Sequence, residues 1–176
     1  MANKQLILLR HAKSDWYSSA HSDHARPLNH RGRRDAPKVG RWLREQGYAP
    51  QRIICSTARR TRETLQLAYD SADWGDLATD INIDFDDALY MASASAIVDI
   101  ITENLSAHDR LMIVGHNPGM DSVLLRYCPD VTMRENLSGK LMTTAAVAII
   151  QFSGQFSGAD LADAVLLEFQ RPAAMA

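Results

Sequence analysis

Leu6-Ile7-Leu8-Leu9 is an unbroken apolar run that ends abruptly in Arg10-His11. A short run of this kind suits a strand buried on both faces of a parallel sheet. Comparable strand signals cover Gln5–Leu9, Arg52–Cys55, Ile81–Phe85, Arg110–Val114, Ala146–Phe152 and Ala164–Phe169. Helical periodicity fills Arg31–Gln46, Ala58–Tyr69, Ser95–Asn104 and Met120–Tyr127. Asn29 is placed to cap the first helix. Pro37 lies inside it and is expected to bend it or to delay its start. The last two strands flank Ser153-Gly154-Gln155-Phe156-Ser157-Gly158, which suits an antiparallel hairpin at a sheet edge. Strand–helix alternation with no linker predicts a single three-layer α/β domain over residues 1–176. Its central sheet would be mostly parallel with an antiparallel edge, and helices would cover both faces. The Pro172–Ala176 tail is expected to fray.

Composition narrows the class without naming a chemistry. The 176 residues are enough for one well-buried core and few for two, and 46% hydrophobic content is ordinary for a globular chain. Nothing approaches a membrane-spanning run, and Leu6–Leu9 is too short for a signal-peptide core. Cys55 and Cys128 show neither metal spacing nor a disulfide framework, so two buried thiols in a cytoplasmic protein is the expectation. His21, His24 and His30 share a polar loop without tight metal-ligand spacing. Trp16, Trp42 and Trp74 read as packing residues.

Charge is distributed unevenly. Arg26 to Arg62 carries eleven basic residues against Asp35 and Glu45, a balance of +9, whereas Asp70 to Asp109 contains no Lys or Arg. The basic segment could steer an acidic partner or a phosphoprotein, or it could be a solvated face beside an anion pocket. Nucleic acid is not implied, because aromatic interleaving and recognised motifs are missing.

Three segments carry candidate chemistry. Arg10 offers a fixed fork of donors for an oxyanion, and His11 beside it can serve as a nucleophile. In an open α/β sheet both would sit past a strand's carboxyl end, where ligands bind. A second apolar run ends in a histidine at Leu111–Gly119, LMIVGHNPG, with Pro118 suited to a first helical turn. Between them, Ile53-Ile54-Cys55 leads through Ser56-Thr57 to Arg59, Arg60 and Arg62 in the first turns of a helix. Cations there oppose the helix dipole, so a carboxylate or a bound phosphate should compensate them.

Taken together, Arg10-His11, the segment STARRTRET and the segment VGHNPG resemble the histidine phosphatase superfamily, the phosphoglycerate-mutase-like fold. RHAKSDW, RPLNHRGRRDAPKVGRWL and ALYMAS bring the chain nearest to the small SixA-type phosphohistidine phosphatases. The resemblance covers most of the chain and thins after about Gly139. It implies that His11 becomes phosphorylated and that Arg10, Arg60 and His116 line the phosphate pocket. Arg60 is singled out because it stands four residues before Thr64; Arg59 and Arg62 do not match and should be solvated. Ser14 falls where the family has a residue that holds the phosphate loop. Lys13, two residues past His11, could extend the phosphate clamp. Tyr17 stands where many members carry a phosphate-binding Asn.

Phosphoryl transfer needs positioning and cationic donors more than covalent assistance, and two arginines with a second imidazole supply these without a metal or cofactor. His11 must be neutral at the attacking nitrogen, with its other nitrogen donating to a backbone carbonyl. Protonated, His116 would add charge to the clamp. Where relatives often show Glu in the ALYxAS segment, this chain has Met91, which cannot donate a proton. Asp86 or Asp87 could substitute. A weak acid function handicaps an ester more than phosphohistidine, whose imidazole can leave protonated. The expected function is therefore metal-independent dephosphorylation of a phosphohistidine-containing signalling or phosphotransfer protein, with no membrane or nucleic-acid partner. A small phosphate ester as substrate, or a noncatalytic phosphoprotein-binding module, are the alternatives.

Overall fold

The computed structural model describes residues 3–76, 80–131, 141–153 and 164–175. Six strands, β1 (Lys4–Arg10), β2 (Arg52–Ser56), β3 (Asn82–Asp86), β4 (Arg110–Gly115), β5 (Val147–Phe152) and β6 (Ala164–Gln170), form one sheet in the order β3-β2-β4-β1-β5-β6. β3, β2, β4 and β1 run parallel; β5 and β6 are antiparallel at one edge. Among the described residues, helices α1 (His30–Glu45), α2 (Arg59–Ser71), α3 (Ala94–Leu105) and α4 (Gly119–Tyr127) complete a single three-layer α/β domain. The expected hairpin pairing of the last two strands is present, while the Gly154–Gly158 part of its connection lies outside the described residues.

The run that opens the sequence explains the layering. Leu6, Ile7, Leu8 and Leu9 are all fully buried. Leu6 and Leu8 join one core with Ile97, Ile101, Met120 and Val123 of α3 and α4. Ile7 and Leu9 join the other with Val39, Leu43 and Leu65 of α1 and α2. Each such side chain withdrawn from water is worth about 1.5–3 kcal/mol, so both faces of β1 contribute. This two-sided burial is why the strand reads as continuous rather than alternating.

Asn29 caps α1 as expected, its side chain accepting from the Gly32 N–H at 2.9 Å. Pro37 does not delay the helix, which runs unbroken from His30. Its missing N–H removes one bond to Arg33, and the buried face set by Ala36, Val39, Gly40 and Leu43 outweighs that loss. Gly32 presses on the loop after β1: a Cβ there would lie 2.2 Å from the Lys13 carbonyl oxygen. The tail also departs from expectation. Pro172–Ala174 forms a 3-10 turn, Met175 is buried in the α1–α2 core, and Lys38 donates to the Met175 carbonyl at 3.1 Å.

Candidate active site

Strand register brings the two histidines together. Arg10 pairs with Gly115 across the parallel β1–β4 ladder, and the His11 N–H donates to the Gly115 carbonyl at 3.1 Å. His11 and His116 are therefore the first residues past two adjacent strand ends, with ring centroids 5.2 Å apart. α2 follows β2, which is hydrogen-bonded to β4, and its second residue is the fully enclosed Arg60. An open pocket of about 370 Å³ results, lined by Arg10, His11, Arg60 and His116, with Lys13 and Ser14 on the wall. All six residues singled out for the site in the sequence thus meet in one cavity.

Each of the four central side chains is held by named partners. His11 Nδ1 donates to the Ala12 carbonyl at 2.8 Å, which fixes the tautomer and leaves Nε2 with its lone pair. Burial pushes the His11 pKa down to about 3; the Ala12 bond opposes that, and the neighbouring His116, Arg60 and Arg10 reinforce it. The backbone after His11 is tied to α2, with the Ala12 N–H donating to Thr64 Oγ1 at 2.9 Å. Thr64 in turn donates to the Arg60 carbonyl at 2.6 Å, so the four-residue spacing physically couples the loop after His11 to the arginine helix. Arg10 Nη1 donates to the Met142 carbonyl at 2.6 Å, a carbonyl that Asn117 Nδ2 also reaches at 3.1 Å.

His116 accepts at Nδ1 from Arg60 Nη2 at 3.2 Å, so its proton is on Nε2, which donates to Ser56 Oγ at 2.8 Å. Burial, then the Arg60 charge, lowers its pKa to about 3. With these neighbours His116 is neutral near pH 7 rather than a further cation, and a phosphoryl dianion beside it would favour its charged form. Arg10, Arg26 and Arg60 each keep a buried Nε–H without a partner among the described groups. Three guanidinium groups lining one cavity make it suited to an anion.

Several residues depart from the sequence reading or escape it. Ser14 Oγ accepts from Arg26 Nη1 at 2.6 Å, and Ser14 bridges to Leu28, so it braces the loop through Arg26, a member of the basic segment to which the sequence assigns no individual role in the site. Asp23 and Tyr90 also line the pocket. Asp23 accepts from Arg26 at 2.6 Å and from the Tyr90 hydroxyl at 2.8 Å, and its Oδ2 forms an ion pair with Arg60 Nη2 at 3.0 Å. Trp16 is no core residue: it is 68% exposed at the pocket wall, with the Arg26 guanidinium 3.6 Å above its ring. Trp74 is buried as expected. Tyr17 is exposed and outside the pocket lining.

Arg59 is exposed and pairs with Glu63, and Arg62 lies over the Phe85 ring, so neither reaches the cavity. Met91 lines the mouth, half-exposed and in a left-handed backbone conformation at φ 51°. Neither Asp86 nor Asp87 lines the pocket: Asp86 caps the Ala88 N–H, and Asp87 accepts from Thr57. The pocket's own carboxylate is Asp23. Among the described residues no group of three His, Cys, Asp or Glu has metal-site geometry. No helix among them is long and apolar enough to cross a membrane. Both cysteines are buried, and burial pushes the Cys55 thiol up to about 12.

The family model for the histidine phosphatase superfamily (branch 1) matches residues 6–90. An uncharacterized chloroplastic protein of Arabidopsis thaliana is 32% identical over 164 residues, which span 89% of this chain and 71% of that one. The structure assigned as the phosphohistidine phosphatase SixA of Agrobacterium tumefaciens superposes with a TM-score of 0.80 at 26% identity, over 96% of this chain and 98% of that one. The protein histidine phosphatase SixA complexed with tungstate superposes at 0.75 with 19% identity, over 96% and 97% of the two chains, a likeness of fold.

Proposed function

This chain belongs to the histidine phosphatase superfamily, and on that premise we propose that it removes phosphate from phosphohistidine on a signalling or phosphotransfer protein, through a phosphorylated His11. The observation that carries the reading is the His11 tautomer. With Nδ1 donating to Ala12, the free Nε2 lone pair faces a cavity lined by Arg10, Arg60 and His116.

In the first step the Nε2 lone pair forms the new bond to phosphorus while the bond to the leaving group breaks and its electron pair departs with that group. His11 then carries phosphorus on Nε2 and a proton on Nδ1, so its ring is cationic, and the Ala12 carbonyl accepts from it. The arginines hold the equatorial oxygens, where charge is spread in the transition state. In the second step water attacks phosphorus, the Nε2–P bond breaks, and the ring leaves neutral with its lone pair restored. A cationic ring is a good leaving group without an acid, so this step needs no proton donor. No step requires a metal ion.

Substrate class rests on the mouth. Met91 stands there without a proton to give, and the open pocket has room for a side chain presented by a folded partner. Such a site favours a leaving group that departs unaided. The second reading, hydrolysis of a small phosphate ester, requires an acid within the cavity, and Asp23 is the one carboxylate among its described lining residues. Turnover of a phosphohistidine peptide beside a sugar phosphate tests the choice. Faster hydrolysis of the peptide supports it; a faster ester overturns it. Binding of phosphate with no turnover of either would indicate a phosphoprotein-binding module.

A further inference from the structure

We propose that Asp23 is a specificity-determining residue of this pocket, accepting a hydrogen bond from the protonated imidazole ring of phosphohistidine and repelling doubly charged alkyl phosphates. The inference rests on the phosphatase reading above and adds a residue that it does not use. A carboxylate is an unexpected component of a phosphate site, because like charges oppose the ligand. Here it is built in. Asp23 Oδ2 holds Arg60 and the Tyr90 hydroxyl, Oδ1 holds Arg26, and its backbone carbonyl accepts from Arg60 Nη1 at 2.7 Å.

Two properties make the carboxylate available to a ligand. Oδ1 has a single partner, leaving acceptor capacity unused. The side chain is 45% exposed, although the arginines that it holds are almost wholly covered. It also stays ionised: desolvation raises its pKa, but the bonds from Tyr90 and Arg26 and the charges of Arg60 and Arg26 outweigh that and leave it at about 2. An acid of that strength carries no proton to donate near neutral pH. It can instead attract a cation.

Phosphohistidine provides one. When its ring is protonated on the nitrogen remote from phosphorus, the ring is positive and the bond to phosphorus is weak. His11 Nε2 attacks, the bond between phosphorus and the substrate ring breaks, and its electron pair stays on the departing nitrogen. The ring leaves neutral, keeping the N–H that Asp23 accepts, and the positive charge passes to the His11 ring. An alkyl phosphate brings the same doubly charged phosphoryl group with no such cation to offset its repulsion by the carboxylate.

The test is Asp23→Asn, which keeps the shape and removes the charge. With one charge repulsion gone, inorganic phosphate or vanadate should bind about tenfold more tightly. Hydrolysis of 4-nitrophenyl phosphate, whose leaving group needs no acid, should rise by a similar factor, and kcat/KM for a phosphohistidine peptide should fall about 10- to 100-fold, as for a lost charge-assisted bond. Opposite signs on the two substrates are something that a merely structural role cannot give. If both substrates slow together and vanadate binds more weakly, Asp23 only positions Arg60 and the proposal is overturned. The binding arm is independent of turnover. A native chain inactive on the peptide refutes the phosphohistidine reading, and unchanged or weaker vanadate binding in the variant refutes the role of Asp23.

Discussion

Arg60 and His116 meet at 3.2 Å, the guanidinium Nη2 donating to the imidazole Nδ1. One comes from the first turn of α2 and the other from the residue after β4, so the contact reports that the β2–α2 and β4–α4 turns are mutually registered. Arg59, one residue earlier, faces solvent. Arg60→Ala should therefore weaken vanadate binding about 10- to 100-fold, the scale of a lost hydrogen bond to a charged group. Arg59→Ala should leave it within about twofold, as for an exposed pair. Isothermal titration of both variants checks this; the reverse ranking would assign the pocket to the wrong arginine.

His11→Ala should fold and bind vanadate yet lose turnover by several orders of magnitude, as removal of a nucleophile does. The native protein, quenched during turnover, should carry an acid-labile, base-stable phosphoryl group that the variant lacks. Near-native rates in the variant on any good substrate would place the nucleophile elsewhere.

Stability should fall with pH before the carboxylates begin to titrate. The folded pKa of both His11 and His116 is lowered to about 3, whereas an unfolded histidine titrates near its ordinary value of about 6.5. Between those limits the unfolded chain binds more protons, so stability rises with pH across the window and is lost as pH falls through it. Thermal melts from about pH 7.5 to 5 should show a declining Tm, and His11→Ala should show a shallower decline. An equal slope in the two proteins would mean that the His11 ring is not held neutral.

Gly32→Ala should separate packing from chemistry. The added Cβ would lie 2.2 Å from the Lys13 carbonyl oxygen, and that carbonyl also accepts from the Asn29 N–H at 3.0 Å. Backbone on both sides cannot rotate away, so the loop after His11 must shift. A loss of about 1–3 kcal/mol in denaturant unfolding is expected, with kcat reduced as well. An unperturbed kcat would show that the loop tolerates displacement.

The parts of the site legible from sequence are those that local pattern dictates. An apolar run followed by Arg10-His11 and another followed by His116 identify strand ends, and parallel pairing then places them side by side. Asp23, Arg26 and Tyr90 were not legible, because their loops acquire meaning only where Arg60 and Ser14 meet them. Polar loop residues between a strand and a helix look alike whether they face water or a pocket. Trp16 misled for the same reason, since a large aromatic side chain predicts burial and this one stacks on Arg26 at the mouth. Met175 was invisible as a core residue because nothing in the tail reveals that α1 holds it.

Met91 tests the leaving group. It stands at the pocket mouth, with its backbone already in the left-handed region, so replacing it with Glu adds no backbone strain beyond what Met bears. Met91→Glu puts a carboxyl group where a departing oxygen could take its proton. General acid assistance is typically worth about 10²–10⁴-fold when the leaving group needs it. An alkoxide needs it, whereas a protonated imidazole does not. The substitution should therefore raise kcat/KM for a sugar phosphate by at least about tenfold, a conservative part of that range, and leave a phosphohistidine peptide nearly unchanged. Equal gains on both substrates would mean that the native enzyme lacks acid assistance that phosphohistidine also requires. No gain on the ester would mean that the added carboxyl group does not reach the departing oxygen, and the chemical reason for preferring phosphohistidine would then have to be sought in the charge of the pocket rather than in its missing acid.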